Sequence, residues 1–255
     1  MKLLFRLLVL LAAAGGVVSL MTLAGRRATQ LPFRAVEVHV LDSARLGLVS
    51  ANEMKERVLE EVALGSPLAK VDTRRLEKKL TRYPFVRRVE VYKDVRGVLH
   101  VEVEQRHPVV KLYSPGGRVM YIDREGLLLP FSPKFPVHML VASGHLPTKG
   151  MRPGVDVTTL PEEHPLHRIY RMASLISDDP FWEAQIEQIY VEADGDYTLT
   201  PRVGSHAIYL GKADHLDEQL RKLYIFYTHA LNRLGWNQYR SIDLQFKNQI
   251  VCTRR

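Results

Sequence analysis

Cysteine is almost absent from this chain of 255 residues. Cys252 stands alone, so no intrachain disulfide and no cysteine-built metal cluster can form. Its place in an apolar-alternating stretch predicts a small core residue. The local signatures of common catalytic machinery are missing too. No Gly-X-Ser-X-Gly elbow, phosphate loop, dinucleotide fingerprint or His-Glu-X-X-His helix occurs in the chain. Charge of one sign never runs long. The 36 Lys and Arg exceed the 28 Asp and Glu, for a formal net charge of +8, but the basic residues are spread along the chain and interleaved with acids. Lys70 to Lys79 contains Asp72 and Glu77, and Arg87 to Arg106 contains Glu90, Asp94, Glu102 and Glu104. With no zinc-finger spacing, no aromatic RNA-binding strand and no basic tail beyond Arg254 and Arg255, no nucleic-acid partner is expected. Internal repeats and low-complexity tracts are absent, and 46% hydrophobic with 25% charged residues is the composition of a folded protein with one large or two modest domains.

What is present begins with one long apolar run. Leu7 to Ala24 is interrupted only by Ser19 and Thr22 and bracketed by Arg6 and Arg26. As a helix those 18 residues span about 27 Å, enough for a bilayer core. A cleaved signal peptide is the rival reading, but the run exceeds most signal-peptide cores and no clean Ala-X-Ala site follows it. Residues 1–25 are therefore expected to be a short start and a retained transmembrane anchor. Lys2 and Arg6 are balanced by Arg26 and Arg27, so charge leaves its orientation open.

After a linker ending at Pro32, Phe33 to Leu41 reads as a strand, and Ser50 with Glu53 three residues on has capping-box spacing for a helix. Gly65-Ser66-Pro67 makes a turn. A second helix from Asp72 carries Val71, Leu76 and Leu80 on one face, with Arg74, Arg75, Lys78 and Lys79 outside as a solvated, lipid-facing or partner-facing surface. Pro84 must end it. Val86, Val89 and Val91, then Val98, Val101 and Val103, alternate with charge in the manner of a half-buried hairpin. Residues 33–105 thus read strand, helix, helix, strand, strand.

From His107 onward, prolines and short apolar runs predict a mainly antiparallel β domain over 107–255 with two helices, one from Pro165 to Ser177 and one capped by Asp214 and ended by Gly235. Asp194-Gly195 joins two strands as a tight hairpin, and His206 to Leu210 supplies another strand. Tyr239 to Cys252 is expected to be one last edge strand, with Ile242, Leu244 and Phe246 on one face. The fold class is α+β: an N-terminal transmembrane helix, a βααββ unit, then the β domain.

Groups that could carry chemistry have plainer roles. His164 and His167 straddle Pro165 at a helix start, which disfavours a zinc site. Glu162-Glu163 and Asp178-Asp179 flank the same helix as first-turn charge and exit loop, and Asp194 with Asp196 belongs to a turn. Neither a catalytic residue, a cofactor nor a metal is expected. The aromatics from Tyr224 onward divide between core and interface. Tyr224, Trp236 and Tyr239 are the better interface candidates, together with Ser241, Ile242, Asp243, Leu244, Gln245, Phe246 and Ile250 along the last strand.

The order over 33–105 resembles a POTRA domain, a module of bacterial envelope proteins. More narrowly, LTRYPFVRRVEVYKDVRGVLHVEVEQRHPVVKLY, GRVMYIDREGLLLP, HAIYLGKADHLDEQLRKLYIFY and YRSIDLQFKNQIVC resemble, in order, segments of the bacterial cell-division family FtsQ (DivIB). That resemblance implies a non-enzymatic, single-pass inner-membrane scaffold at the division septum, N-terminus cytoplasmic, that links early and late division proteins. It implies FtsB and FtsL as partners of the C-terminal β domain, and FtsK, FtsW or a septal wall synthase at the POTRA and membrane segments. The alternatives are another POTRA-bearing envelope secretion or assembly factor, and an anchored periplasmic hydrolase.

Overall fold

A computed structural model describes residues 31–134, 139–147, 149–231, 233 and 235–255. The apolar run Leu7 to Ala24 lies outside the described residues, and among those described no helix is long and apolar enough to cross a membrane. The chain forms two compact units that part between Gln105 and Arg106.

The first unit follows the strand, helix, helix, strand, strand order. β1 (Ala35–Val40) leads through a short α1 (Ser43–Leu46) to α2 (Ala51–Glu61), and a 3₁₀ turn at Leu68–Lys70 leads to α3 (Thr73–Leu80), β2 (Val86–Lys93) and β3 (Val98–Gln105). Asp72 caps α3, its Oδ1 accepting the Arg75 N–H at 3.0 Å. Ser50 occupies the cap position of α2, but its hydroxyl makes no capping bond. The capping box does not form because the Glu53 carboxylate faces Arg57, one turn along, at 3.5 Å.

β3 is the central strand, parallel to β1 and antiparallel to β2, with Val101 opposite both Val38 and Val91. Val36, Met54, Val58, Leu76, Leu80, Leu99, Val101 and Val103 make the core. Two polar devices close it. Buried Gln105 accepts the Val49 N–H at 2.8 Å and donates to the Leu41 carbonyl at 2.9 Å. At the β2–β3 turn, Asp94 accepts the N–H groups of Arg96 and Val98, each at 2.8 Å. The Val98 N–H, with help from Arg96, holds the Asp94 carboxyl well below the usual carboxylate range.

The second unit is built on a nine-stranded sheet ordered β12-β11-β10-β9-β8-β7-β4-β5-β6. Its strands are β4 (Pro108–Tyr113), β5 (Val119–Asp123), β6 (Leu128–Pro130), β7 (Leu140–Gly144), β8 (Ile186–Val191), β9 (Tyr197–Pro201), β10 (Ala207–Gly211), β11 (Tyr239–Asp243) and β12 (Val251–Arg254). The pairs β4–β7, β7–β8 and β10–β11 are parallel, and the remaining neighbours are antiparallel. Helices α4 (Pro165–Asp178), α5 (Pro180–Gln185) and α6 (Leu216–Phe226) contribute Leu166, Ile169, Met172, Trp182, Leu220 and Leu223 to one core shared with inward strand residues such as Ile189, Leu199 and Ile208.

Three expectations change here. Helix α5 is additional to the two expected: Asp179, read as an exit-loop residue, accepts the Phe181 N–H at 2.8 Å and starts a new helix at Pro180. Helix α6 starts at Leu216 and not at an Asp214 cap, because the Asp214 carboxylate pairs with Arg168 at 2.7 Å. It continues past Phe226 as a π turn over Tyr227–Leu231, and Gly235, at φ +93°, closes the segment by donating to the Leu231 carbonyl at 2.8 Å.

The third change is the largest. Tyr239 to Cys252 is not one strand but a hairpin, β11 and β12, with Asp243 opposite Val251. The reason lies just after β11. Leu244 is fully buried and donates to the Tyr209 carbonyl at 2.9 Å, while Asp243 accepts the Gln245 N–H at 2.9 Å and turns the chain. β11 is therefore interior, paired with β10 on one side, and β12 forms the edge.

Candidate partner interface

The C-terminal end of the second unit gathers the chain's most distinctive side chains. Ring contacts run from Phe181 to Tyr224 (4.9 Å between centroids), Trp182 to Tyr227 (6.2 Å) and Tyr227 to Trp236 (5.0 Å). The Tyr227 hydroxyl meets Nε2 of buried His206 at 2.7 Å. Burial raises the Tyr227 pKa and lowers that of His206, so both rings are neutral near pH 7. Burial prevails at His206 over a backbone contact with Trp236 that favours the charged ring.

Around this ladder, α6 ties down the loop after β11. Gln219, buried in line with Leu216, Leu220 and Leu223, donates to the carbonyls of Leu210 (2.8 Å) and Leu244 (3.3 Å). Lys222 donates to the carbonyls of Phe246 (2.7 Å) and Lys247 (3.3 Å). Sequence reading missed both residues, although a glutamine on an otherwise apolar helix stripe was a usable sign of a buried polar bond.

The expected interface residues separate into three groups. Ile242 and Leu244 are sealed in the core, so neither offers a surface; they hold β11 against the helices. Trp236, Tyr239 and Ile250 are half-buried and pack on that core, Tyr239 against Phe226 at 5.8 Å, and each leaves an outer face free. Tyr224 and Phe246 are each 45% exposed, Gln245 is exposed, and Ser241 and Asp243 are half-buried. Tyr224 overlooks an open cleft of about 450 Å³ between α4, α5 and α6, whose walls include Trp182, Leu220 and Arg221 and whose rim carries Asp178, Asp179 and Asp217.

Edge strand β12 was outside the main expectation. The Arg255 N–H donates inward to the Gln238 carbonyl at 3.3 Å, so alternation turns the backbone groups of Cys252 and Arg254 outward. Cys252 is half-buried, and burial raises its thiol pKa, which keeps it protonated and unreactive.

The groups weighed for chemistry are committed elsewhere. Nδ1 of His164 accepts the Leu166 N–H at 3.2 Å, and His167 bonds the Leu160 carbonyl at 2.8 Å. Among the described residues no three His, Cys, Asp or Glu side chains come together as a metal site.

Comparison with known proteins adds a separate line of observation. The family model described as FtsQ/DivIB, C-terminal related, matches residues 107–253, and that of the POTRA-like domain matches residues 34–104. Over 223 residues the chain is 30% identical to the cell division protein FtsQ of Rhodothermus marinus, which covers 83% of this chain and 78% of that protein.

Proposed function

Because the chain belongs to the FtsQ/DivIB family of cell-division proteins, we propose that it is a non-enzymatic, single-pass scaffold of the division machinery. It is held in the inner membrane at the septum by the Leu7 to Ala24 run, with its N-terminus cytoplasmic and both folded units outside. It links early and late division proteins, and its C-terminal hairpin captures FtsB and FtsL by strand addition. The observation that carries this reading is the outer edge of β12, which has no neighbouring strand among the described residues and whose Arg254 lies opposite half-buried Tyr239 of β11.

Magnitudes decide how such an edge would work. Two outward residues offer about four backbone hydrogen bonds, worth roughly 2–6 kcal/mol net. Association costs about 4–15 kcal/mol. Over most of these ranges the cost exceeds the backbone gain, so the exposed parts of Trp236, Tyr239 and Phe246 are needed to supply much of the affinity.

Single prolines test the geometry. Arg254→Pro removes only an outward N–H, whereas Thr253→Pro removes an inward one that bonds β11. Arg254→Pro is expected to retain the wild-type melting temperature and lose capture of FtsB and FtsL in pull-down from detergent-solubilised membranes. Tyr239→Ala should weaken capture without abolishing folding. A folded Arg254→Pro protein that captures both partners as well as wild type does would remove strand addition at β12.

A further inference from the structure

Helix α3 of the first unit carries a charge pattern that its own fold does not explain. Its buried residues are Leu76 and Leu80. At 3.6 residues per turn, Arg74, Lys78 and Arg75 occupy an arc of about 100° on the opposite side, and Arg82 follows in the turn after the helix ends at Leu80. All four are exposed, and none has an ion-pair partner among the described residues. Lys79 is different, since it pairs with Glu61 at 2.5 Å. The helix's own acid is no counterion to the arc: the Glu77 carboxylate turns back to accept the Val91 N–H of β2 at 2.9 Å.

Helix electrostatics account for half of this pattern. Cations in a last turn are favoured by the helix dipole, which suits Lys78 and Lys79. Arg74 and Arg75 lie in the first turn, where the same dipole opposes positive charge, and Arg74 repels Lys78 at i+4. Asp72 at the cap offsets part of that cost, and among the described residues no ion pair covers the cations of this arc, which leaves a net positive face open to an external anion.

The chain path indicates which anion. The Leu31 carbonyl accepts the Leu68 N–H at 2.8 Å, and the Phe33 N–H donates to Ser66 at 2.8 Å, so the entering chain is stitched to the loop that leads into α3. Residues 25–31 alone separate that stitch from the apolar run ending at Ala24. Seven residues bridge at most about 25 Å whatever their path. We infer that the Arg74–Lys78 face of α3, with Arg82 in the turn that follows it, seats on the anionic lipid headgroups of the membrane that anchors the chain. The inference rests on the anchor reading in the proposed function and adds an orientation to it: the first unit lies on the membrane and is not a freely pivoting module.

The test uses the full chain in nanodiscs, one set of phosphatidylcholine alone and one in which about a third of the lipid is phosphatidylglycerol. The rate of Lys78 acylation by a water-soluble ester is read by mass spectrometry, with exposed Lys247 of the second unit as the internal reference. One cation at an anionic surface is worth about fivefold in occupancy, so Lys78 labelling is expected to slow by roughly fivefold or more on the anionic discs. Salt at about 1 M, where the Debye length is about 3 Å, should restore it. Arg74→Gln with Arg82→Gln, both solvent-facing, should abolish the lipid dependence while Lys78 remains as reporter. Equal labelling on both lipids in a chain that co-elutes with the discs overturns the inference and leaves the anchor standing. Protection that appears only in native membranes overturns it in favour of an acidic protein partner. A chain that fails to enter either disc overturns the anchor and the inference together.

Discussion

At the scale of single residues, buried polar groups set the sharpest dependences. Asp123 is fully buried between the Arg106 guanidinium at 2.7 Å and the N–H groups of Leu127 (2.7 Å) and Glu125 (3.1 Å). Asp123→Ala would strand a cation and two donors, and is expected to cost about 3–5 kcal/mol in urea unfolding of the full chain. The burial of the Asp123 carboxylate was not legible in sequence, because its Arg106 partner lies 17 residues away. His206 gives a pH dependence. Burial depresses its folded pKa against an opposing backbone hydrogen bond with Trp236, the positive charge of Arg255 adding to the fall, while an unfolded histidine takes a proton near pH 6.5. Below that value the unfolded chain binds the extra proton, so stability present at neutral pH is lost progressively as pH falls from about 6.5 toward the lower folded pKa. Burial of His164 acts in the same direction. His206→Asn, which keeps a partner for Tyr227 but cannot charge, should show a shallower fall in melting temperature between pH 7 and 5.5 than the wild type.

Elements depend on what crosses them. Gly97 sits at φ +91° in the β2–β3 turn, where an added Cβ would stand 2.5 Å from the Pro32 carbonyl oxygen. Gly97→Ala combines strain with a backbone clash and is expected to cost roughly 1–3 kcal/mol, read as a lower melting temperature with faster amide exchange at Arg34. Lys222 is the corresponding tie in the second unit. Lys222→Met should destabilise by about 1 kcal/mol and speed amide exchange over 244–250 while leaving that of β8 and β9 unchanged. Periodicity located α3, α4, the β2–β3 hairpin and the Asp194-Gly195 turn because each is decided by contacts near in sequence. It merged β11 and β12 because the apolar alternation of Ile242 and Leu244 runs on to Phe246, and the break depends on a bond from Leu244 to Tyr209 that no local pattern shows.

For the whole molecule, we propose that the two units fold separately. Fragments 31–105 and 106–255 are each expected to melt cooperatively by circular dichroism, and a cooperative transition seen only in the joined chain would contradict this. The sequence by itself determined the order of elements in the first unit, the family resemblance, and the absence of familiar catalytic motifs. These follow from short-range rules: apolar period, proline breaks, caps and turn residues. Tertiary structure alone decided which strand is the edge of the nine-stranded sheet, which expected interface residues are instead core, and which cations on α3 lack partners. The physical reason is that pairing and burial are settled between residues far apart in the chain. Ile208 meets Ile242 across a parallel pair, and Arg168 on α4 meets Asp214 in the turn before α6, so no window of neighbouring residues contains either partner's answer.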